Sequence, residues 1–154
     1  MRIKRYFLVL VALIAFTLQS FAQEGTTGIQ FFQGTFNEAL VKAKQENKVL
    51  FVDFYAVWCV PCKKMAKTVF TQEEVGKFFN EHFVSIQLDA EKGDNVNIAK
   101  NYKVVAYPTV AFISPDGKAI SVNTGAMNKD ELLEAAKIAA GQSMSFEALY
   151  EKYK

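Results

Sequence analysis

The sequence predicts an α/β domain built on a central mixed β-sheet with helices on both faces. Two observations carry that prediction. Segments rich in β-branched and aromatic residues alternate with segments whose apolar residues recur at helical spacing, in the order β-α-β-α-β-α-β-β-α. The last two strand-like segments are joined by strong turn chemistry, which adds a hairpin to an otherwise crossover-built sheet.

Residues 1–22 are expected to form a secretory signal peptide. Arg2, Lys4 and Arg5 give a positive start, Tyr6 to Leu18 is apolar apart from Thr17, and Ser20-Phe21-Ala22 is a small-x-small cleavage pattern. The apolar run is shorter than the about 20 residues a spanning helix needs. Retention as an N-terminal anchor is therefore the weaker reading, and no cysteine follows the run to carry a lipoprotein anchor. Cleavage after Ala22 would remove three of the 18 basic residues and no acid, leaving 132 residues with 15 basic against 16 acidic side chains. That length suits one domain with one core. The expected mature chain has no basic field for nucleic acid and no polybasic patch for anionic lipid.

Residues 23–28 read as a flexible lead-in, 29–140 as the folded domain and 141–154 as a C-terminal helical appendage. Ile29 to Phe32 is a short strand candidate. Thr35-x-x-Glu38 is a capping box, and Phe36, Ala39, Leu40 and Ala43 continue it as a helix ending near Asn47. Val49 to Tyr55 (VLFVDFY) is apolar except for Asp53, as a buried central strand should be. Pro61 is tolerated only in a first helical turn, so a helix should begin near Cys59 or Val60. A break is expected near Phe70. Thr71-x-x-Glu74 is a second capping box, opening a helix to about Asn80. Phe83 to Leu88 is a strand, Asp94 to Tyr102 a short helix and Thr109 to Ile113 a strand. Ser114-Pro115-Asp116-Gly117 turns the chain into a last strand, Lys118 to Asn123. Asn128 should cap a helix running to Ala140, with Gly141-Gln142-Ser143 ending it and Ser145 to Tyr153 forming a small amphipathic segment. No internal repeat is present.

Both cysteines of the chain lie in YAVWCVPCKKM, residues 55–65. A structural staple, a metal clip and a redox pair are the three readings. Export would place the pair where disulfides form, but a bridge closing four residues constrains the unfolded chain little. A zinc site needs further ligands, and the only other soft candidate is His82, so no metal is expected. His82 itself reads as a solvated loop residue. The redox reading has a positive argument. The spacing puts the first sulfur at a helix N-terminus, where unpaired N–H groups and the helix dipole favour a thiolate. Two intervening residues also let the sulfurs meet. Lys63 and Lys64 read as a solvated helix face adding some positive potential, and the many phenylalanines read as core.

These residues resemble the thioredoxin superfamily. VDFYAVWCVPCKKM is similar to the active-site strand and helix of thioredoxins. Lys48 to Met65, with Thr68-Val69-Phe70 and Thr71 to Val75, more closely resembles the periplasmic C-terminal domain of the disulfide reductase DsbD. VVAYPTVAFISPDGK, with Gly125 beyond it, resembles the second signature of the family. The resemblance covers roughly Ile29 to Ala140 and implies a thioredoxin fold with no cofactor. It implies that Cys59 is the exposed nucleophile and Cys62 the resolving thiol. It further implies that Asp53 is a buried acid that moves the Cys62 proton, and that Pro108 is a cis-proline facing the disulfide. Asp53 as a satisfied core acid and Pro108 as an ordinary strand-entry proline are the plain alternatives. Trp58, Val60, Pro61, Tyr107 and Pro108 would then bind substrate, Tyr107 and Pro108 by pairing with an extended segment. The chain departs from thioredoxins in carrying Val60-Pro61 between the cysteines. It also carries Ser85 at the position matching the lysine partner of the buried acid.

Related pairs span potentials of about −270 to −120 mV. Val60-Pro61 supplies neither a charge nor a side-chain donor to a thiolate, which points towards the reducing end. The expected function is an exported, periplasmic reductase of disulfides in exported proteins, soluble after signal cleavage and recharged by a membrane thiol-electron donor. An oxidase or isomerase on the same fold, and a non-catalytic peptide-binding or chaperone module, are the alternatives.

Overall fold

Six of the seven residues of β1 (Val49–Tyr55) are buried, and the architecture explains why. In the computed structural model, which describes residues 27–152 and side chains as far as Gly141, β1 has a strand on each edge and helices on each face. The order is β2-β1-β3-β4, with β2 (Phe83–Asp89) parallel to β1. β3 (Thr109–Ile113) runs antiparallel to β1, and β4 (Ala119–Thr124) antiparallel to β3. This is the mixed sheet of a thioredoxin-like fold. The expected signal peptide and residues 23–26 of the lead-in lie outside the described residues, as do residues 153–154.

Side chains alternate across the strands, so each face buries its own set. Val49 and Phe51 point with Val110 and Phe112 toward α2 (Val60–Thr68), α3 (Glu73–His82) and α5 (Lys129–Lys152). Phe51 is fully buried there, with ring centroids 4.7 Å from Phe79 and 5.3 Å from Phe112. Burial of such a side chain is worth about 1.5–3 kcal/mol, and Phe36, Phe54, Phe70, Phe79, Phe83 and Phe112 are buried in the core as well. Leu50, Val52 and Phe54 face the other way, toward α1 (Phe36–Glu46) and α4 (Asn95–Asn101). The Thr35–Glu38 capping box forms, and α1 closes on Asn47 in the left-handed region. The turn after β3 closes with Gly117 at φ +85°.

Three local expectations are corrected. Ile29 to Phe32 forms no strand, only one parallel bridge between Phe31 and Ser85. The Ile29 N–H donates to Phe70 O and the Gln30 N–H to Asn80 Oδ1, so these donors hold the α2–α3 junction instead of a ladder. Thr71 does not cap α3: its hydroxyl donates to Lys67 O at 2.7 Å, and Gln72 occupies the N-cap with its side-chain amide turned back to donate to Thr68 O, so it makes no capping bond. Gly141 does not end the last helix, which is capped by Asn128 and continues to Lys152. A glycine costs about 1 kcal/mol relative to alanine inside a helix, and no proline follows to stop it.

The N-terminal strap rests directly on α3. A Cβ on Gly76 would lie 2.3 Å from Gly28 O and 2.5 Å from Gly28 Cα, with backbone on both sides. Gly28, at φ +98°, is tight against Phe70 O as well. Gly76→Ala should therefore destabilise the protein by about 2–3 kcal/mol, read as a lower urea midpoint. An unchanged midpoint would mean the strap detaches at no cost.

Candidate active site

Asp53, Cys59 and Cys62 come from one continuous stretch, the end of β1 and the start of α2. Cys59 is the N-cap of α2, in extended conformation, with Val60 and Pro61 in the first turn. Pro61 has no N–H to lose there. Cys59 and Cys62 are joined in a disulfide with Cα atoms 5.3 Å apart. The Cys62 N–H donates to Cys59 Sγ at 3.2 Å. In the reduced protein that donor and the helix N-terminus would favour a thiolate on Cys59.

One expectation about Cys59 is reversed. Expected to be exposed, it is 1% exposed and packs with Ala56, Cys62 and Tyr107. Around it, Trp58 and Val60 stand out at 64% and 73% exposed, Val57 and Val105 are also exposed, and Pro61 is open. Pro108 is buried, and the Tyr107–Pro108 peptide bond is cis. The loop is braced behind the proline, where the Thr109 hydroxyl donates to Ala106 O and the Gly125 N–H to Pro108 O, both at 2.8 Å. Tyr55 and Tyr107 pack against the cluster of Ala56, Cys59 and Cys62, Trp58 meets the Tyr107 ring, and Val60 and Pro61 lie between the two cysteines. Lys63 and Lys64 are exposed on α2.

Asp53 is 2% exposed and shares its sheet face with Val49 and Phe51, the face that α2 covers. Burial pushes its carboxyl up to about 6 from 3.8, opposed by one hydrogen bond from Gln87 Nε2 at 2.9 Å. The residue opposite Asp53 is therefore Gln87, its register partner on β2, and not Ser85, which pairs with Phe51. Ser85 is buried, and its hydroxyl has no hydrogen-bond partner among the described residues. Gln87 is exposed, so the acid is linked to the surface through a neutral amide. Two residues near the site escape sequence reasoning. Gln87 looks like an ordinary strand polar residue until register is known. Glu91, 33 residues after Trp58, accepts from the indole N–H at 2.9 Å. Among the described residues, no group of three or more His, Cys, Asp or Glu side chains is placed to hold a metal ion.

Comparison with known proteins agrees with this geometry. Residues 36–140 match the family model described as a thioredoxin-like domain. The chain is 34% identical over 80 residues to the thiol:disulfide interchange protein DsbD of Pseudomonas fluorescens, spanning 51% of this chain and 14% of that protein. Among solved structures, a Bacteroides thetaiotaomicron protein with a provisional disulphide-isomerase designation superposes with a TM-score of 0.66 at 43% identity. The match covers 74% of this chain and 94% of that one. The oxidised C-terminal domain of Neisseria meningitidis DsbD gives 0.59 at 28% identity, covering 70% and 97%.

Proposed function

This chain belongs to the thioredoxin-like family and is a thiol–disulfide oxidoreductase, and from that premise we propose that it works as an exported, periplasmic reductase of protein disulfides. The observation that carries the reading is the Cys59–Cys62 disulfide set on the N-terminus of α2. In the reduced form, the Cys59 thiolate attacks one sulfur of a substrate disulfide, forming a mixed disulfide and releasing the other substrate sulfur as a thiolate. Cys62 then gives its proton to the Asp53 carboxylate and attacks Cys59 Sγ, expelling the second substrate thiolate. Two electrons pass from the cysteine pair to the substrate. An acid raised to about 6 is well matched to that proton transfer near neutral pH.

Two arguments support the reducing direction. Val60 and Pro61 contribute no charge or side-chain donor to a Cys59 thiolate, so the reduced form gains nothing beyond the helix terminus and the nearby lysines. The DsbD relatives, named as thiol:disulfide interchange proteins, support thiol–disulfide exchange with other proteins; on this reading the substrates are exported proteins and a membrane thiol donor recharges the pair. Residues 1–22 would direct export, and no described helix is long and apolar enough to cross a membrane. Tyr107 and Pro108 would pair with an extended substrate segment while Trp58, Val60 and Pro61 supply the apolar rim.

The designation of the Bacteroides relative favours a second reading, an isomerase on the same site. Equilibration of the Cys59/Cys62 couple with glutathione separates the two. A potential near −270 mV is expected for the reductase, whereas one at or above about −180 mV would transfer the assignment to isomerisation or oxidation.

A further inference from the structure

Asp53 takes the Cys62 proton in the proposed cycle, yet it is buried in an apolar face of the sheet. Val110 stands opposite it on β3. Met65 of α2, Phe79 of α3 and Leu132 of α5 belong to the apolar cluster on the same face. The titratable neighbour on β1 is Tyr55, whose hydroxyl is raised by burial and then by the Asp89 and Asp53 carboxylates. On α2, Cys62 is bonded to Cys59, and Lys63 and Lys64 lie on the exposed side. From β2 a polar side chain reaches the acid: Gln87 Nε2 donates to Asp53 Oδ2 at 2.9 Å.

Register explains why Gln87 does this and Ser85 does not. Gln87 is the β2 partner of Asp53, whereas Ser85 pairs with Phe51, one step back on the same face. The Ser85 hydroxyl is buried with no hydrogen-bond partner among the described residues, so it does not reach the carboxyl. The Gln87 amide is a neutral donor that does not titrate. A donor to an ionised carboxylate favours the charged form, and bonds to charged groups are the stronger class. Burial pushes the Asp53 carboxyl up to about 6, and the Gln87 bond works against that rise. Gln87 itself is exposed, so it can be replaced without cutting into the core.

We propose that Gln87 is a positioning residue for the resolving step: its amide holds the Asp53 carboxylate in the ionised form and so sets the pH above which Asp53 takes the Cys62 proton. In that step the proton passes from Cys62 Sγ to an Asp53 oxygen and the Cys62 sulfur bonds to Cys59 Sγ. The bond between Cys59 and the substrate breaks, and the substrate leaves as a thiolate. Gln87 neither gains nor loses a proton. This role rests on Asp53 being the base for Cys62 and is independent of the net direction in which electrons flow.

Two variants should move the carboxyl in opposite directions. Gln87→Leu removes the donor, and the Asp53 midpoint should rise by about one pH unit. Gln87→Lys puts a cation in its place, and the midpoint should fall by about one pH unit. Carbon-13 NMR of the Asp53 carboxyl in the oxidised protein, where neither cysteine titrates, reads both shifts. Resolution is read by stopped-flow release of the second thiolate from a peptide disulfide. Each rate is taken as a ratio to the parent at the same pH, so that cysteine titration cancels. For Gln87→Leu that ratio should be about five-fold lower at pH 6 than at pH 8, the loss of ionised carboxylate that a rise of about one pH unit produces. Midpoints that stay put in both variants, or move the same way, would overturn the role of Gln87. Midpoints that move as expected while the ratio stays constant with pH would overturn it through Asp53, which would then not be the base, and would leave the Gln87 contact intact. Midpoints and ratio moving together would support both.

Discussion

Cys59→Ser should reduce protein disulfides no faster than buffer, a loss of more than about 1,000-fold. A serine hydroxyl at the N-cap of α2 keeps the helix start, since serine is a favoured cap. It stays protonated at neutral pH and cannot form the mixed disulfide, so the first step is lost without loss of the fold. Cys62→Ser separates the two halves of the cycle. Its Cys59 thiolate still attacks, but nothing resolves the product, and the mixed disulfide should accumulate in about one-to-one amount with the enzyme. Turbidity from dithiothreitol-driven insulin reduction reads the first variant. Non-reducing mass analysis after exposure to oxidised substrate reads the second. Full turnover by Cys59→Ser would remove Cys59 from the nucleophile role. Trapping through Cys62 in a Cys59→Ser background would assign the attack to the other sulfur. The partners trapped by Cys62→Ser would also identify the physiological substrates.

The second large effect concerns Asp53, where stability and exchange should move in opposite directions. Its carboxyl is held at about 6 in the folded protein against 3.8 in its ordinary environment, chiefly by burial. For an acid raised on folding, the unfolded chain ionises first as pH rises. Stability is thus greatest below 3.8, falls between 3.8 and about 6, and remains lowered at higher pH. The difference corresponds to about 3 kcal/mol at pH 7.5. Asp53→Asn keeps an acceptor for Gln87 and carries no charge. In the oxidised protein, where neither cysteine titrates, it should be about 3 kcal/mol more stable than the parent at pH 7.5 and nearly equal to it at pH 3.5. Urea unfolding at the two pH values measures this directly. The same variant should resolve mixed disulfides about a hundredfold more slowly, at the low end of what a positioned base contributes. Equal gain at both pH values would show that the burial cost lies elsewhere than in ionisation. Undiminished resolution would leave Asp53 as a satisfied core acid.

A site can be legible in one stretch of sequence and illegible across two. Cys59, Cys62, Pro61 and Asp53 sit within ten residues of one another on one strand and one helix, and their spacing already implies a sulfur at a helix N-terminus. Gln87 and Glu91 belong to a different crossover. Ser85 and Gln87 point to the same sheet face, so alternation alone cannot choose between them as the partner of Asp53. The parallel register between β1 and β2 makes the choice. The strand expected at Ile29 to Phe32, which does not form, has a similar cause. Its residues have strand character, but the Ile29 and Gln30 N–H groups are taken by Phe70 and Asn80, contacts that exist only once α2 and α3 are packed, and only the Phe32 N–H reaches β2, at Ser85 O. Thr71 satisfies a capping pattern, yet the end of α2 competes for its hydroxyl and wins.

Local periodicity and side-chain chemistry are enough to determine the alternating elements, the buried central strand and the helix that starts at the cysteine pair, and the resemblance of the flanking motifs to thioredoxins adds the redox reading of that pair. These depend on residues a few positions apart, whose geometry the backbone dictates. Exposure and partnership are different. Cys59 is buried in a cluster against which Tyr107, 48 residues later, packs together with Tyr55, and Asp53 meets an amide because one strand pairs with another in a particular register. Burial, and with it the energetic cost of a charge, is a property of everything that packs around a group. Only the tertiary structure brings those neighbours together.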